Sequence, residues 1–158
     1  MKPGTPLWSE HLGVLIDRGV AIIVATCDEL GVPALTRGWG ASMVGHDEVV
    51  LAVTARTGTP SAAHLAPGAP LSITVSEMTT YTTIQLLGTV TDICPIDDDA
   101  QHRVDRHLEQ FADEAARLGV ASDATNLFLG DLILVRLRVS RATEQTPGER
   151  AGTPLEAR

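Results

Sequence analysis

Six consecutive apolar residues, Val20-Ala21-Ile22-Ile23-Val24-Ala25, constrain this chain more than any other stretch. The run is too short for a buried helix and rich in β-branched side chains, so it predicts a buried strand. A turn sequence follows at Cys27-Asp28-Glu29-Leu30-Gly31, in which Asp28 and Gly31 suit a short hairpin connection. Beyond Pro33 the chain resumes a strand-like pattern that carries Arg37 beside Gly38-Trp39-Gly40. A hairpin of this kind belongs at the centre of a β-barrel, with Arg37 near its mouth.

The remaining segments extend the same pattern. Residues 7–18 predict a short amphipathic helix, with Ser9 as N-cap, Leu12, Leu15 and Ile16 on one face and Gly19 as the stop. Strands are expected at 20–26, 33–44, 48–54, 71–76, 80–93 and 131–141, with Gly88 marking a bulge or bend in the fifth. Between the third and fourth, Arg56 to Leu65 reads as a loop entering a short helix capped by Thr59 or Ser61. From Asp97 the period changes. Val104, Leu108, Phe111, Ala115 and Leu118 share one helical face, the Asp97-Asp98-Asp99 run suits a helix N-terminus, and Gly119 suits its end. In the last strand Arg136, Arg138 and Ser140 lie on one face and Ile133, Val135, Leu137 and Val139 on the other, so its arginines should pair with the acidic surface. Residues 144–158 read as an irregular tail. The chain is expected to form one domain over residues 1–158: a mainly β protein with helices, a six-stranded antiparallel split β-barrel.

Charge and composition exclude several functions. The net charge is −8 and Lys2 is the only lysine, so no dense basic patch invites nucleic acid or an anionic membrane. No apolar run approaches the ~20 residues that span a bilayer. The first residues lack the apolar core of a signal peptide, and Cys27 and Cys94 form neither a metal pair nor a disulfide framework. A cytoplasmic location is expected. His11, His46, His64, His102 and His107 have no metal-ligand spacing, and the three aspartates lack the alternation of a calcium loop. No nucleophile elbow or phosphate-binding glycine loop is present. No His or carboxylate is singled out as a general acid or base.

The order of elements and the local wording resemble the pyridoxamine 5′-phosphate oxidase-like family of FMN-binding split barrels. The resemblance runs from about Leu12 to Gly152. It rests on Asp28-x-x-Gly31-x-Pro33 after a strand, a strand bearing Arg37, a strand ending in Thr54, a Ser/Thr-rich loop-helix ending in Leu65, the stretch Tyr81-Thr-Thr-Ile-Gln85-Leu-Leu-Gly88, and Gln145-Thr-Pro-Gly148. The resemblance implies a homodimer with FMN bound between subunits. Arg37, Thr54, Arg56, Thr59 and Ser61 stand where relatives hold the phosphate. The backbone of Gly38 and Trp39 stands where the ring lies, and Gln85 where a partner's glutamine reaches the cofactor. The chain departs from the pattern at Ser61, which replaces an expected lysine, and 148–158 lack the substrate-binding Arg and His of true pyridoxamine phosphate oxidases. From the residues alone, Arg37 is equally a surface cation on the Trp39 indole, Trp39 and Tyr81 equally interface or core packing, Arg56 a loop charge, and Gln85 a residue of the dimer seam. The functions left open are an FMN-dependent oxidoreductase, a deazaflavin form of it, a non-enzymatic flavin or haem binder, and a cofactor-free dimeric module.

Overall fold

A computed structural model describes residues 7–120 and 130–155. The elements follow in the order α1 (Leu7–Ile16), β1 (Ala21–Cys27), β2 (Pro33–Val44), β3 (Glu48–Thr54), α2 (Pro60–His64), β4 (Pro70–Ser76), β5 (Thr83–Pro95), α3 (Asp98–Arg117) and β6 (Leu132–Glu144). The six strands close into a ring in the order β1-β2-β3-β6-β5-β4, with β1 pairing back onto β4 and every pair antiparallel. The six-stranded barrel expected from the sequence is therefore formed.

The β1–β2 turn uses the chemistry its sequence carries. The Asp28 carboxylate accepts from the backbone N–H groups of Leu30 and Val32 at 2.9 and 2.8 Å, and Gly31 takes a φ of +79°. An Asx-type turn with glycine in the left-handed region satisfies donors that the tight reversal would otherwise leave unpaired. The predicted bulge at Gly88 is also present: the β5–β6 register shifts between Leu87 and Gly88, where a Cβ would stand 2.0 Å from the Arg138 carbonyl oxygen.

Strand alternation sets the core. Ile22, Val24, Leu51, Ile73, Leu86 and Leu137 point inward with almost no exposure. The apolar run is thus buried on one face only: Ile23 and Ala25 face outward and remain half-buried. The unbroken run looked two-sided because period two is invisible when both faces are apolar. Helix α1 adds Trp8, Leu12 and Leu15 to the barrel core. It begins at Leu7, so Ser9 lies inside its first turn rather than at the predicted cap.

Helix α3 covers the outer face of β2 and β3. Asp97 caps it, its carboxylate accepting from Ala100 N–H at 2.7 Å, and Asp98 and Asp99 follow in the first turn. Val104, His107 and Phe111 are buried against the barrel. Two glycines make the close approach possible: a Cβ at Gly19 would meet the Gln110 backbone at 2.3 Å, and one at Gly40 the Arg103 backbone at 2.8 Å. Gly40, at φ +56°, sits in a β2 bulge between Trp39 and Ser42.

His107 fastens this contact. Its Nδ1 accepts from Gly40 N–H at 2.8 Å, so the proton lies on Nε2, which donates to the Val20 carbonyl at 2.8 Å. Burial lowers the His107 pKa, opposed by the bond to Val20, and protonation would put a second donor against the Gly40 N–H. Beyond β6, Leu155 N–H bonds to the Ala142 carbonyl and Thr143 bridges to Pro154, so the tail turns back along the strand through Leu155; residues 156–158 lie outside the described residues.

His107→Ala should lower the unfolding free energy by about 2–3 kcal/mol, the scale for stranding buried polar groups, measured by urea denaturation. The neutral form is the one the fold requires and the folded pKa lies below the unfolded value of about 6.5. Its contribution is therefore full above about pH 6.5 and lost as pH falls toward the folded value. The wild-type chain should lose stability more steeply than His107→Ala over that interval.

Candidate functional site

A cavity of about 840 Å3 opens at the end of the barrel where β2 and β6 begin and β3 ends. Pro33 to Thr36 form one wall, Thr54 and Arg56 the next, Thr59 to Ser61 the lip of α2, and Gly130 and Asp131 the approach to β6. The structure thus brings together Thr54, Arg56, Thr59 and Ser61, four positions singled out in the sequence.

Their hydroxyls are already engaged. Thr59 is the N-cap residue of α2 by position, yet its Oγ1 donates back to the Arg56 carbonyl at 2.7 Å rather than accepting from the helix. Ser61, only 5% exposed, donates to the Leu35 carbonyl at 3.2 Å and ties α2 to β2. Thr36, which the sequence did not single out, donates to the Thr54 carbonyl at 2.6 Å. The Thr54 hydroxyl accepts from the Trp39 indole N–H at 3.3 Å and keeps its own proton. Arg56 is exposed and has no ion-pair partner among the described residues.

The other candidates stand outside this cavity. Gly38 faces the barrel interior, where a Cβ would press on Leu51 at 2.7 Å and Ile22 at 2.8 Å; the core alone explains the glycine. Trp39, one residue on, points outward and is 2% exposed beneath α3. Its ring makes edge contacts with His107 and Phe111 at centroid distances of 5.8 and 6.1 Å. Arg37 lies half-buried on the outer face, opposite Ile23, with no ion pair among the described residues. It does not stack on the Trp39 indole, which α3 has covered. Gln85 lies on the outer face of β5 and accepts from the Gln145 side chain at 3.4 Å. The register runs Arg37, Ile23, Thr74, Gln85 across β2, β1, β4 and β5. Three strand spacings put Gln85 about 14 Å from Arg37 along the sheet. Within one chain, Gln85 does not share the cavity with Arg56.

That outer face is partly apolar. Leu35 is 69% exposed and Leu87 40%, flanking half-buried Ile23 and Ala25, and Leu30 at the hairpin tip is 89% exposed. Two of the three β6 arginines pair as expected: Arg136 and Arg138 with Glu48, and Arg138 also with Asp47, whereas Arg141 has no ion pair among the described residues. Tyr81 is exposed, in the left-handed region at φ +60° in the β4–β5 turn. Among the described residues no cluster of His, Cys, Asp or Glu has metal-binding geometry, and no helix is long and apolar enough to cross a membrane.

No protein-family model and no curated protein matches the sequence. Solved structures match the fold. A protein from Clostridium acetobutylicum related to general stress protein 26, of the pyridoxinephosphate oxidase family, is 12% identical, with 94% of each chain covered and a TM-score of 0.53. A candidate pyridoxamine 5′-phosphate oxidase from Lactobacillus delbrueckii is 13% identical, covering 87% of this chain and 93% of its own, with a TM-score of 0.52. An F420 reductase is 16% identical, covering 82% and 94%, with a TM-score of 0.50.

Gly38→Ala should destabilise the chain by about 1–3 kcal/mol, the range for overpacking a core, in chemical denaturation. A neutral result would mean that Leu51 and Ile22 move aside. The barrel and its decorating helices have the fold of the pyridoxamine 5′-phosphate oxidase-like split barrels.

Proposed function

We propose that this chain is a flavin-type oxidoreductase: a homodimer that holds a tricyclic ring cofactor, FMN or a deazaflavin, in the cavity at the end of the barrel. The observation that carries the reading is the convergence of Thr54, Arg56, Thr59 and Ser61 on one cavity of about 840 Å3. That volume is within the range of cofactor sites. The shared fold with an F420 reductase and with proteins of the pyridoxinephosphate oxidase family supports the same choice.

The dimer is part of the proposal. Gln85 does not line the cavity that holds Arg56 in one chain. A second copy laid on the outer face of β2, β1, β4 and β5 would bury Leu35, Ile23, Ala25 and Leu87 and bring its own Gln85 to the cavity. Exposed apolar surface of this kind favours self-association. A cytoplasmic setting completes the reading, in keeping with two cysteines that are both free.

When bound, such a cofactor supplies the hydride chemistry itself. The chain's own task is to bind, orient and shield. Arg56 would hold the polar tail, Thr54 would donate one hydrogen bond, and Pro33 to Leu35 would exclude water from one side. A cofactor-free interaction module is the second reading, favoured by Ser61, whose hydroxyl is buried and committed to the Leu35 carbonyl.

Titration with FMN and with riboflavin, followed by flavin fluorescence and absorbance, should show saturable uptake. Arg56→Ala should weaken it about tenfold, or ~1.4 kcal/mol. No uptake of either flavin at high micromolar concentration would contradict the flavin reading. Light scattering should give twice the 16.7 kDa chain mass, and Leu35→Glu should shift it to monomer.

A further inference from the structure

We infer that the cavity accepts a ring cofactor whose tail carries at most one negative charge, an uncharged polyol or a phosphodiester, and discriminates against a phosphate-monoester dianion. The inference rests on the flavin reading above and adds the charge class of the ligand.

The argument is an accounting of donors. A dianionic phosphate is held by several N–H or O–H groups and by cations. Among the described residues four hydroxyls line this cavity, and three of their protons go to backbone carbonyls: Thr36 to Thr54, Thr59 to Arg56, and Ser61 to Leu35. A hydroxyl bonded to a carbonyl is necessarily the donor, so Thr36 and Thr59 present lone pairs to any ligand, and the buried Ser61 offers no proton. Those lone pairs suit a tail that offers hydroxyl donors and repel phosphate oxygens. Thr54 is the exception, because it accepts from the Trp39 N–H and retains a proton. Helix α2 is five residues long and opens with Pro60, which has no N–H to contribute.

Charge points the same way. Among the described residues of the single chain, the charged side chains lining the cavity are Arg56 and Asp131, which sum to zero. Arg37 stands on the neighbouring outer face of β2, beyond the lining residues. The chain as a whole carries −8, which opposes the approach of an anion.

The test compares two flavins at two pH values. Riboflavin is uncharged, and FMN carries a phosphate monoester whose second ionisation lies near pH 6. At pH 7.5 and low ionic strength, FMN should bind more weakly than riboflavin. As pH falls to 5.5 and FMN becomes a monoanion, its affinity relative to riboflavin should rise. Asp131→Asn should strengthen FMN binding relative to riboflavin about two- to fivefold, the scale of one exposed charge interaction. Dividing by riboflavin removes any effect of pH on the fold. FMN held more tightly than riboflavin at pH 7.5 would overturn the inference while upholding the flavin reading. If Arg37→Ala then abolished the difference, the dianion would belong to Arg37. Failure of both flavins to bind would overturn the reading and the inference together.

Discussion

The imidazole of His107 holds the molecule's two layers together. One ring nitrogen takes a proton from Gly40 in the β2 bulge, and the other gives one to Val20 at the entry to β1. That pair of bonds fixes α3 across the outside of β2 and β3, where a glycine at 40 lets the backbones meet. Trp39 is thereby buried, and its indole N–H has one acceptor within reach, the hydroxyl of Thr54. The chain of contacts ends at the cavity, where the Trp39 indole N–H bonds to the Thr54 hydroxyl and leaves that hydroxyl its own proton. A neutral imidazole is required at the start of this chain, which makes the arrangement sensitive to acid.

The same covering divides the outer surface of the barrel. Where α3 lies, the face of β2 and β3 is dry and explained by packing. Where it does not, β1, β4 and β5 leave a partly apolar sheet face uncovered in the single chain. Arg37, Ile23, Thr74 and Gln85 form a continuous row on that face, joining two residues that neither share a cavity nor pair with each other. In the proposed dimer, a barrel end holding Arg56, Thr54 and Thr36, next to such a face, would be half of a site that a second copy completes. The fold is shared with proteins of the pyridoxinephosphate oxidase family at 12–13% identity, so the specific chemistry must come from these residues rather than from the architecture.

Much of the fold was legible in the sequence because the signals were local. Asp28 and Gly31 encode their turn within five residues, Gly88 marks its bulge, and the 3.6-residue spacing of Val104, Leu108 and Phe111 announces α3 against a background of alternation. The candidate site was legible only in part. Thr54, Arg56, Thr59 and Ser61 converge, but the engagement of their hydroxyls depends on carbonyls that no pattern exposes, such as that of Leu35, 26 positions from Ser61. Thr36 gave no signal, since a threonine in a strand is ordinary. Metal-ligand spacing does not single out His107; its partners are backbone groups 67 and 87 positions away, which side-chain spacing cannot reveal. Trp39 was read beside Arg37 because they are near in sequence, although strand neighbours at 37 and 39 share a face whose two halves are covered differently.

The most direct test of the account is to map riboflavin onto the labelled protein by backbone amide shifts during a titration. Perturbations that saturate together and centre on Leu35, Thr36, Thr54, Arg56, Thr59 and Ser61 are the predicted result. Saturable binding whose shifts cluster elsewhere, with these amides unmoved, would contradict the assignment of the barrel end as the cofactor site.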